Sequence, residues 1–164
     1  MVRRWLQNLT TSDLALRRHF PPATLAAIDA AIAASEQQHR AEIRCAVEAA
    51  LSAGEMFRGV SSANRAAEVF ANLRVWDTAE NNGVLLYVLL AEHSIEIVAD
   101  RGFSAQVPVA VWQEICADMA TTFAAGRYEA GVLEALARIG KIARRHFPAT
   151  GGDANELPDR TVLL

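Results

Sequence analysis

The sequence predicts an α/β protein: a small mixed β-sheet flanked by helices on both faces, a loosely Rossmann-like α/β/α sandwich. Three observations carry this. Residues 42–51 set Ile43, Cys45 and Val47 against Glu42, Arg44 and Glu48, the period of two of a strand. Residues 82–103, NGVLLYVLLAEHSIEIVADRGF, read as two strands joined by a turn: an apolar run from Val84 to Leu90, a polar turn at 91–94, then Ile95, Ile97 and Ala99 alternating with Glu96, Val98 and Asp100. The remaining apolar residues recur three and four apart, as on amphipathic helices.

In chain order, Ser12 to Leu16 opens a short helix that Pro21 and Pro22 interrupt, and Thr24 caps a helix with Leu25, Ile28 and Ile32 on one face. The first strand follows and Ser52-Ala53-Gly54 breaks it. Ser61 or Ser62 begins a helix bearing Ala66, Val69, Phe70 and Leu73, with Trp76 packing at its end. After the hairpin, Pro108 sits in the first turn of a helix striped by Trp112, Ile115, Cys116, Met119 and Phe123, which Gly126 ends. A last helix carries Tyr128, Val132, Leu136, Ile139 and Ala143 and stops at Pro148; Gly131 and Gly140 weaken it unless they permit close packing, which is expected of at least one. The order is α-α-β-α-β-β-α-α. A right-handed crossover makes the first two strands parallel, and the third runs antiparallel to the second, with Leu90 near Ile95 and Leu86 near Ala99. The repeat of Arg17-Arg18-His19-Phe20-Pro21 as Arg144-Arg145-His146-Phe147-Pro148 reads as two helix ends, basic near the negative pole of the dipole and stopped by proline.

At 164 residues, 52% hydrophobic and 21% charged, with net charge −3, the chain fits one ordinary globular unit. The mildly acidic balance argues against a general nucleic-acid binder. No apolar stretch reaches the roughly 20 residues needed to cross a bilayer. Arg3 and Arg4 are not followed by the apolar segment of a signal peptide, so a cytoplasmic address is expected. Cys45 and Cys116 lack metal-site spacing and lie in apolar periodic segments, as buried thiols rather than a disulfide.

The chain resembles the TPM domain family, which includes a thylakoid lumen protein, a photosystem repair factor and soluble bacterial proteins. The matching segments are SEQQHRAEIR at 35–44, RAAEVF at 65–70, NGVLLYV at 82–88 and IEIVADRG at 95–102, then Trp112, MATTF at 119–123, GRYEAG at 126–131 and HFP at 146–148. The tail DANELPD at 153–159 is similar to the ending of the soluble bacterial branch. On this resemblance residues 1–20 are an N-terminal helical extension, 21–148 the TPM-like domain and 149–164 a C-terminal tail. The resemblance implies the helix-covered mixed sheet, with calcium binding in some members and acid phosphatase activity in others. Asn81 stands where relatives often carry arginine, a departure that disfavours phosphate chemistry and suits a metal.

The residues point to the same rim. Asp77, Glu80, Asn81 and Asn82 precede the second strand, Asp100 follows the third, and Glu42 begins the parallel first strand. Such oxygens suit calcium, a hard cation that takes six to eight of them, better than zinc. The plain alternative is solvated turns with Asp100 capping one. Asp153, Glu156 and Asp159 add oxygens if the tail folds back. A phosphatase would use Asp100 as a metal-held carboxylate and Arg101 as a bidentate phosphate contact, but no Gly-rich phosphate loop, Cys-x5-Arg signature or paired-aspartate motif is present. His39 and His93 fall at opposite ends of the sheet. The expected function is therefore a non-catalytic binding module holding calcium on this rim and meeting a protein partner, with a metal-assisted acid phosphatase as the alternative. Trp5 lies in a short amphipathic stretch, Val2 to Leu9, with Leu6 on its apolar side and Arg3 and Arg4 nearby; it docks on its own domain, on a partner or on a membrane surface.

Overall fold

The structure, a computed structural model, describes residues 2–11, 13–151 and 155–164, with the side chain of Val2 outside that set. Among the described residues the elements are α1 (Val2–Thr10), α2 (Asp13–His19), α3 (Pro22–Glu36), β1 (Ile43–Glu48), α4 (Ala53–Phe57), α5 (Ser62–Asn72), β2 (Val84–Leu89), β3 (Ser94–Ala99), α6 (Arg101–Ser104), α7 (Val109–Ala124), α8 (Tyr128–His146) and β4 (Val162–Leu163). The sheet order is β3-β2-β1-β4. β1 runs parallel to β2, with Ile43 opposite Val84, and parallel to β4, with Ala46 opposite Val162; β3 is antiparallel to β2.

The mixed sheet with helices on both faces is as the sequence predicts, and the differences are local. The third helix starts after Pro21 rather than at Thr24, whose hydroxyl instead donates to Glu129 Oε2 at 2.5 Å. Ser52 to Gly54 is no mere break, since Ser52 and Glu55 form a capping box that opens α4. The hairpin register is two residues from the expected one: Leu86 faces Ile97 and Val84 faces Ala99. Leu90 and Ala91 donate their amides to Glu48 and Ala49 of the β1 segment, so the turn falls one residue earlier, with His93 at φ 51°. The fourth strand, supplied by the tail, was not visible in the sequence because two residues are too few to show a period. The start of α2 expected at Ser12 lies outside the described residues.

Period-two alternation divides the sheet residues between two cores. Ile43, Cys45, Val47, Val84, Leu86 and Val88 face α3, α7 and α8. Leu85, Tyr87, Leu89 and Ala46 face the side covered by α5 and α4, where Trp5 of α1 also packs. Both helix glycines sit at close approaches: a Cβ on Gly131 would come 2.9 Å from the Phe123 ring, and one on Gly140 would come 2.2 Å from Ser35 Oγ. The repeated Arg-Arg-His-Phe-Pro segments close α2 and α8, and bury Phe20 and Phe147 in the first core. Trp112 and Cys45 are buried and Cys116 is half-buried; Trp76, expected to pack, is 49% exposed beside Arg74.

β1 is buried at all six positions, yet it carries Arg44 and Glu48. Glu48 is answered by Arg65 of α5, which donates from Nε to Oε2 at 2.9 Å and from Nη2 to Oε1 at 2.9 Å, and by the Tyr87 hydroxyl at 2.6 Å. Arg65 Nη1 also reaches Glu55 at 3.0 Å, which ties α4 into the same group. Burial, then the Glu48 carboxylate, pushes the Tyr87 phenol well above its ordinary range, so it donates at every physiological pH. At the opposite end of β1, Glu36 of α3 accepts from the Ile43 amide at 2.7 Å. Burial raises Glu36 to about 9 against the lowering effect of that amide, and the neighbouring Glu42 and Asp159 carboxylates raise it further.

Two outcomes follow from these buried carboxylates. Glu48→Gln removes the buried anion that Arg65 and Tyr87 share, leaving Arg65 only Glu55 and Glu68, and lowers stability by about 3 kcal/mol, whereas Tyr87→Phe costs about 1 kcal/mol; urea unfolding separates the two. Equal losses would mean that the ion pair is not the governing contact. Glu36 binds its proton more tightly in the fold than in the unfolded chain, whose carboxylate keeps the usual 4.5, so unfolding releases a proton between pH 4.5 and about 9. Its contribution is complete below that window and is lost as pH rises through it. Glu36→Gln should therefore stabilise the protein at pH 8 and flatten the fall in melting temperature from pH 5 to about 9; an unchanged slope would assign the titration to another group.

Candidate functional site

The rim where β1 and β2 begin and β3 ends gathers the loop at 77–82, Asp100, and Glu42. Two glycines set how closely its loops meet. A Cβ on Gly83 would fall 1.9 Å from the Val75 carbonyl oxygen, and one on Gly102 would lie 2.5 Å from the Asn81 carbonyl oxygen. Asp100 donates its amide to Gly83 O at 2.9 Å, and Gly102 donates to Asn81 O at 2.9 Å, so the end of the hairpin is stitched to the loop that precedes β2.

Within this frame the five expected ligands separate. Asp77 is exposed and pairs with Arg74; Glu80 is exposed, with Oε1 2.7 Å from Arg40 Nη1. Asn81, held at φ 53°, accepts from Arg101 Nη2 through Oδ1. Arginine thus already occupies an oxygen of each of these three side chains. Asn82 is 1% exposed: Thr78 Oγ1 accepts its amide at 3.0 Å, its Nδ2 donates to Arg40 O at 2.7 Å, and its Oδ1 is buried with no partner among the described residues. Asp100 caps α6 by accepting the Arg101 amide on Oδ1 at 2.7 Å, while Oδ2 is likewise buried and unpartnered. Asn82 precedes Gly83, and Asp100 bonds to Gly83 O, so the two residues with orphaned oxygens lie at the same end of the sheet.

Glu42 takes part differently. Its Oε1 and Oε2 accept from the Glu156 and Leu157 amides at 3.1 and 3.0 Å, and Glu156 accepts in turn from the Ala79 amide at 3.0 Å. Burial raises Glu42 above the usual carboxylate range, with the two tail amides pulling it back. The tail therefore folds back over the rim, which is the condition on which its acidic residues were to add oxygens. Asp159 accepts from Asn155 Nδ2 at 2.6 Å, and Asp153 lies outside the described residues. Beneath the tail is a cavity of about 270 Å³ that includes Glu36, Glu42, Arg40 and Asp159 in its lining. Glu36 was not among the residues singled out by sequence. Its signal was a carboxylate on the last residue of a helix, where the dipole disfavours it.

His39 is structural: its Nδ1 donates to Ala41 O and its Nε2 accepts from Ser35 Oγ, both at 2.9 Å, and burial lowers its pKa. His93 lies in the turn at the far end of the sheet. Among the described residues no three His, Cys, Asp or Glu side chains converge on a point that would hold a metal ion. What the rim leaves unengaged is one carboxylate oxygen and one amide oxygen, Asp100 Oδ2 and Asn82 Oδ1, which are hard donors of the type calcium takes rather than the nitrogen and sulfur that zinc favours.

Comparison with known proteins agrees with this architecture. No curated protein matches. Among solved structures, the BA42 protein of the psychrophilic bacterium Bizionia argentinensis is 26% identical, with a TM-score of 0.76 over 87% of this chain and 93% of that one. The N-terminal domain of a P. gingivalis protein, 17% identical, has a TM-score of 0.62 over 78% of this chain and 80% of its own, a likeness of fold. The model of the TPM domain matches residues 17–142, most of the chain, and the protein therefore belongs to the TPM domain family.

Proposed function

We propose that the protein is a non-catalytic binding module that takes a divalent cation, calcium by preference, at the corner of the rim formed by Asn82 and Asp100. The observation that carries this is the pair of buried, unpartnered oxygens, Asn82 Oδ1 and Asp100 Oδ2, on segments joined by the Asp100–Gly83 bond. An unsatisfied buried oxygen costs free energy, and a cation with water in its remaining positions removes that cost. Asp77 and Glu80 serve as an outer ring, each free to exchange its arginine for the ion, while Asn81 keeps its bond to Arg101. With a cation in place the loop at 77–82 and the start of α6 become one ordered surface, suited to a protein partner. Arg101, the residue a phosphatase would need free, is engaged with Asn81 Oδ1.

Calorimetric titration of chelator-stripped protein with calcium and with magnesium, alongside thermal melts, tests this reading. Asp100→Asn is the informative variant, because asparagine keeps the α6 cap while removing the charge. Wild type should bind calcium and, at about 100 times its Kd, gain about 2.7 kcal/mol of stability. Asp100→Asn should melt like wild type without metal and lose the calcium gain. Absence of heat and of any melting shift with either ion would remove the cation from this rim.

A further inference from the structure

The face formed by α1 and α4 carries apolar side chains that none of the described residues covers. Trp5 and Asn8 turn inward. Trp5 meets the Phe57 ring edge-on at 4.7 Å, and Asn8 Oδ1 accepts the Leu51 amide at 2.7 Å, which anchors α1 to the end of β1. With that face fixed, Leu6 and Leu9 point outward, 57% and 66% exposed, and Phe57 beside Trp5 is 80% exposed. Leu9 follows Trp5 by four residues on the helix, so Phe57, Trp5, Leu9 and Leu6 form one continuous apolar strip.

The free charge carried by the two helices is basic. Arg3 on α1 and Arg58 just after α4 are exposed, α1 contains no acidic residue, and the first carboxylate after it is Asp13 at the start of α2. The carboxylates nearest the strip are already engaged: Glu92 by Arg4 Nε at 2.7 Å and Asn8 Nδ2 at 3.0 Å, and Glu55 by Ser52 and Arg65. An overall acidic protein thus presents a local face of aromatic and aliphatic groups bordered by arginine. Anionic headgroups complement that border and the acyl boundary complements the strip.

We propose that the α1–α4 face is a peripheral membrane-binding surface for anionic lipid, independent of the cation rim. Phe57 and Leu9 enter the interfacial layer, and Arg3 and Arg58 meet headgroup phosphates. Attachment is weak and reversible, because one short helix buries little apolar area and the electrostatic part falls with salt.

Co-sedimentation of the full chain with phosphatidylcholine vesicles, with and without phosphatidylglycerol, tests this. The protein should pellet with the anionic vesicles and stay free of the neutral ones, and added salt should release it. Phe57→Ser and Leu9→Ser should each lower partitioning about tenfold. Arg3→Gln with Arg58→Gln should weaken both binding and its salt dependence. Leu9, Arg3 and Arg58 are exposed, so their variants should melt like wild type, and Phe57→Ser, which also loses the Trp5 ring contact, should stay folded with a slightly lower melting temperature. Failure to pellet with anionic vesicles overturns the proposal, as does pelleting that Phe57→Ser leaves intact. A wild-type dimer that Phe57→Ser dissociates, without vesicle binding, also overturns it and makes the face a self-association surface.

Discussion

Strand β1 is enclosed on both faces and both edges, and the charges it carries have to be answered inside the protein. An ion taken from water costs several kcal/mol unless its partner is well placed. Glu48 meets that condition through two parallel bonds from Arg65 and a third from Tyr87, so helix α5, strand β2 and the capped turn of α4 are all positioned by one carboxylate. The apolar cores on either side of the sheet supply most of the burial, but hydrophobic contact is not directional. The Glu48 group is what fixes register and orientation at this end of the sheet.

The other end of β1 is organised by acceptors that hold backbone amides. Glu36 takes the first amide of the strand, Glu42 takes two from the tail, and Asp29 takes the Thr161 amide at 2.7 Å and its hydroxyl at 2.6 Å. Arg44 lies buried nearby; burial depresses its pKa, while Glu36, Asp159 and Asp29 offset the loss. Positive charge in the interior therefore compensates a crowd of carboxylates at the very end where the rim has oxygens to spare. The two ends of the sheet thus differ in kind: one is a closed ion pair, the other an open set of acceptors over which the tail is laid.

The sequence made the layers legible because the periods were clean. Ile43, Cys45 and Val47 alternate with charged neighbours, and Ile95, Ile97 and Ala99 repeat the pattern, so strand identity and face assignment followed directly. The parallel pairing of β1 with β2 came from the handedness of the crossover. Register was not readable, since a shift of two residues preserves every inward and outward assignment, and only the backbone of Leu90 and Ala91 settles it. At the site, sequence distance along the hairpin brought Asp100 to the loop at 77–82. It gave no means of knowing that Arg74, Arg40 and Arg101 would claim Asp77, Glu80 and Asn81, because those arginines lie as far as 40 residues from their partners and have no periodic signature. Phe57 was invisible as a surface residue for a related reason: a helix of five residues is too short to display a buried and an exposed face.

The strap formed by β4 closes the most distant contact in the sheet, joining Ala46 to Val162 across more than a hundred residues. Loop-closure entropy places such a pairing late in folding, after the β2–β3 hairpin and the β1–β2 crossover have formed. Only two residues pair in it, so it is also a segment expected to open first in native fluctuations. Each opening bares one edge of β1, whose unpaired backbone groups invite a neighbouring chain to add its own. The side-chain acceptors at Asp29 and Glu42 hold the chain beside β4 in place, and so act as latches on that edge.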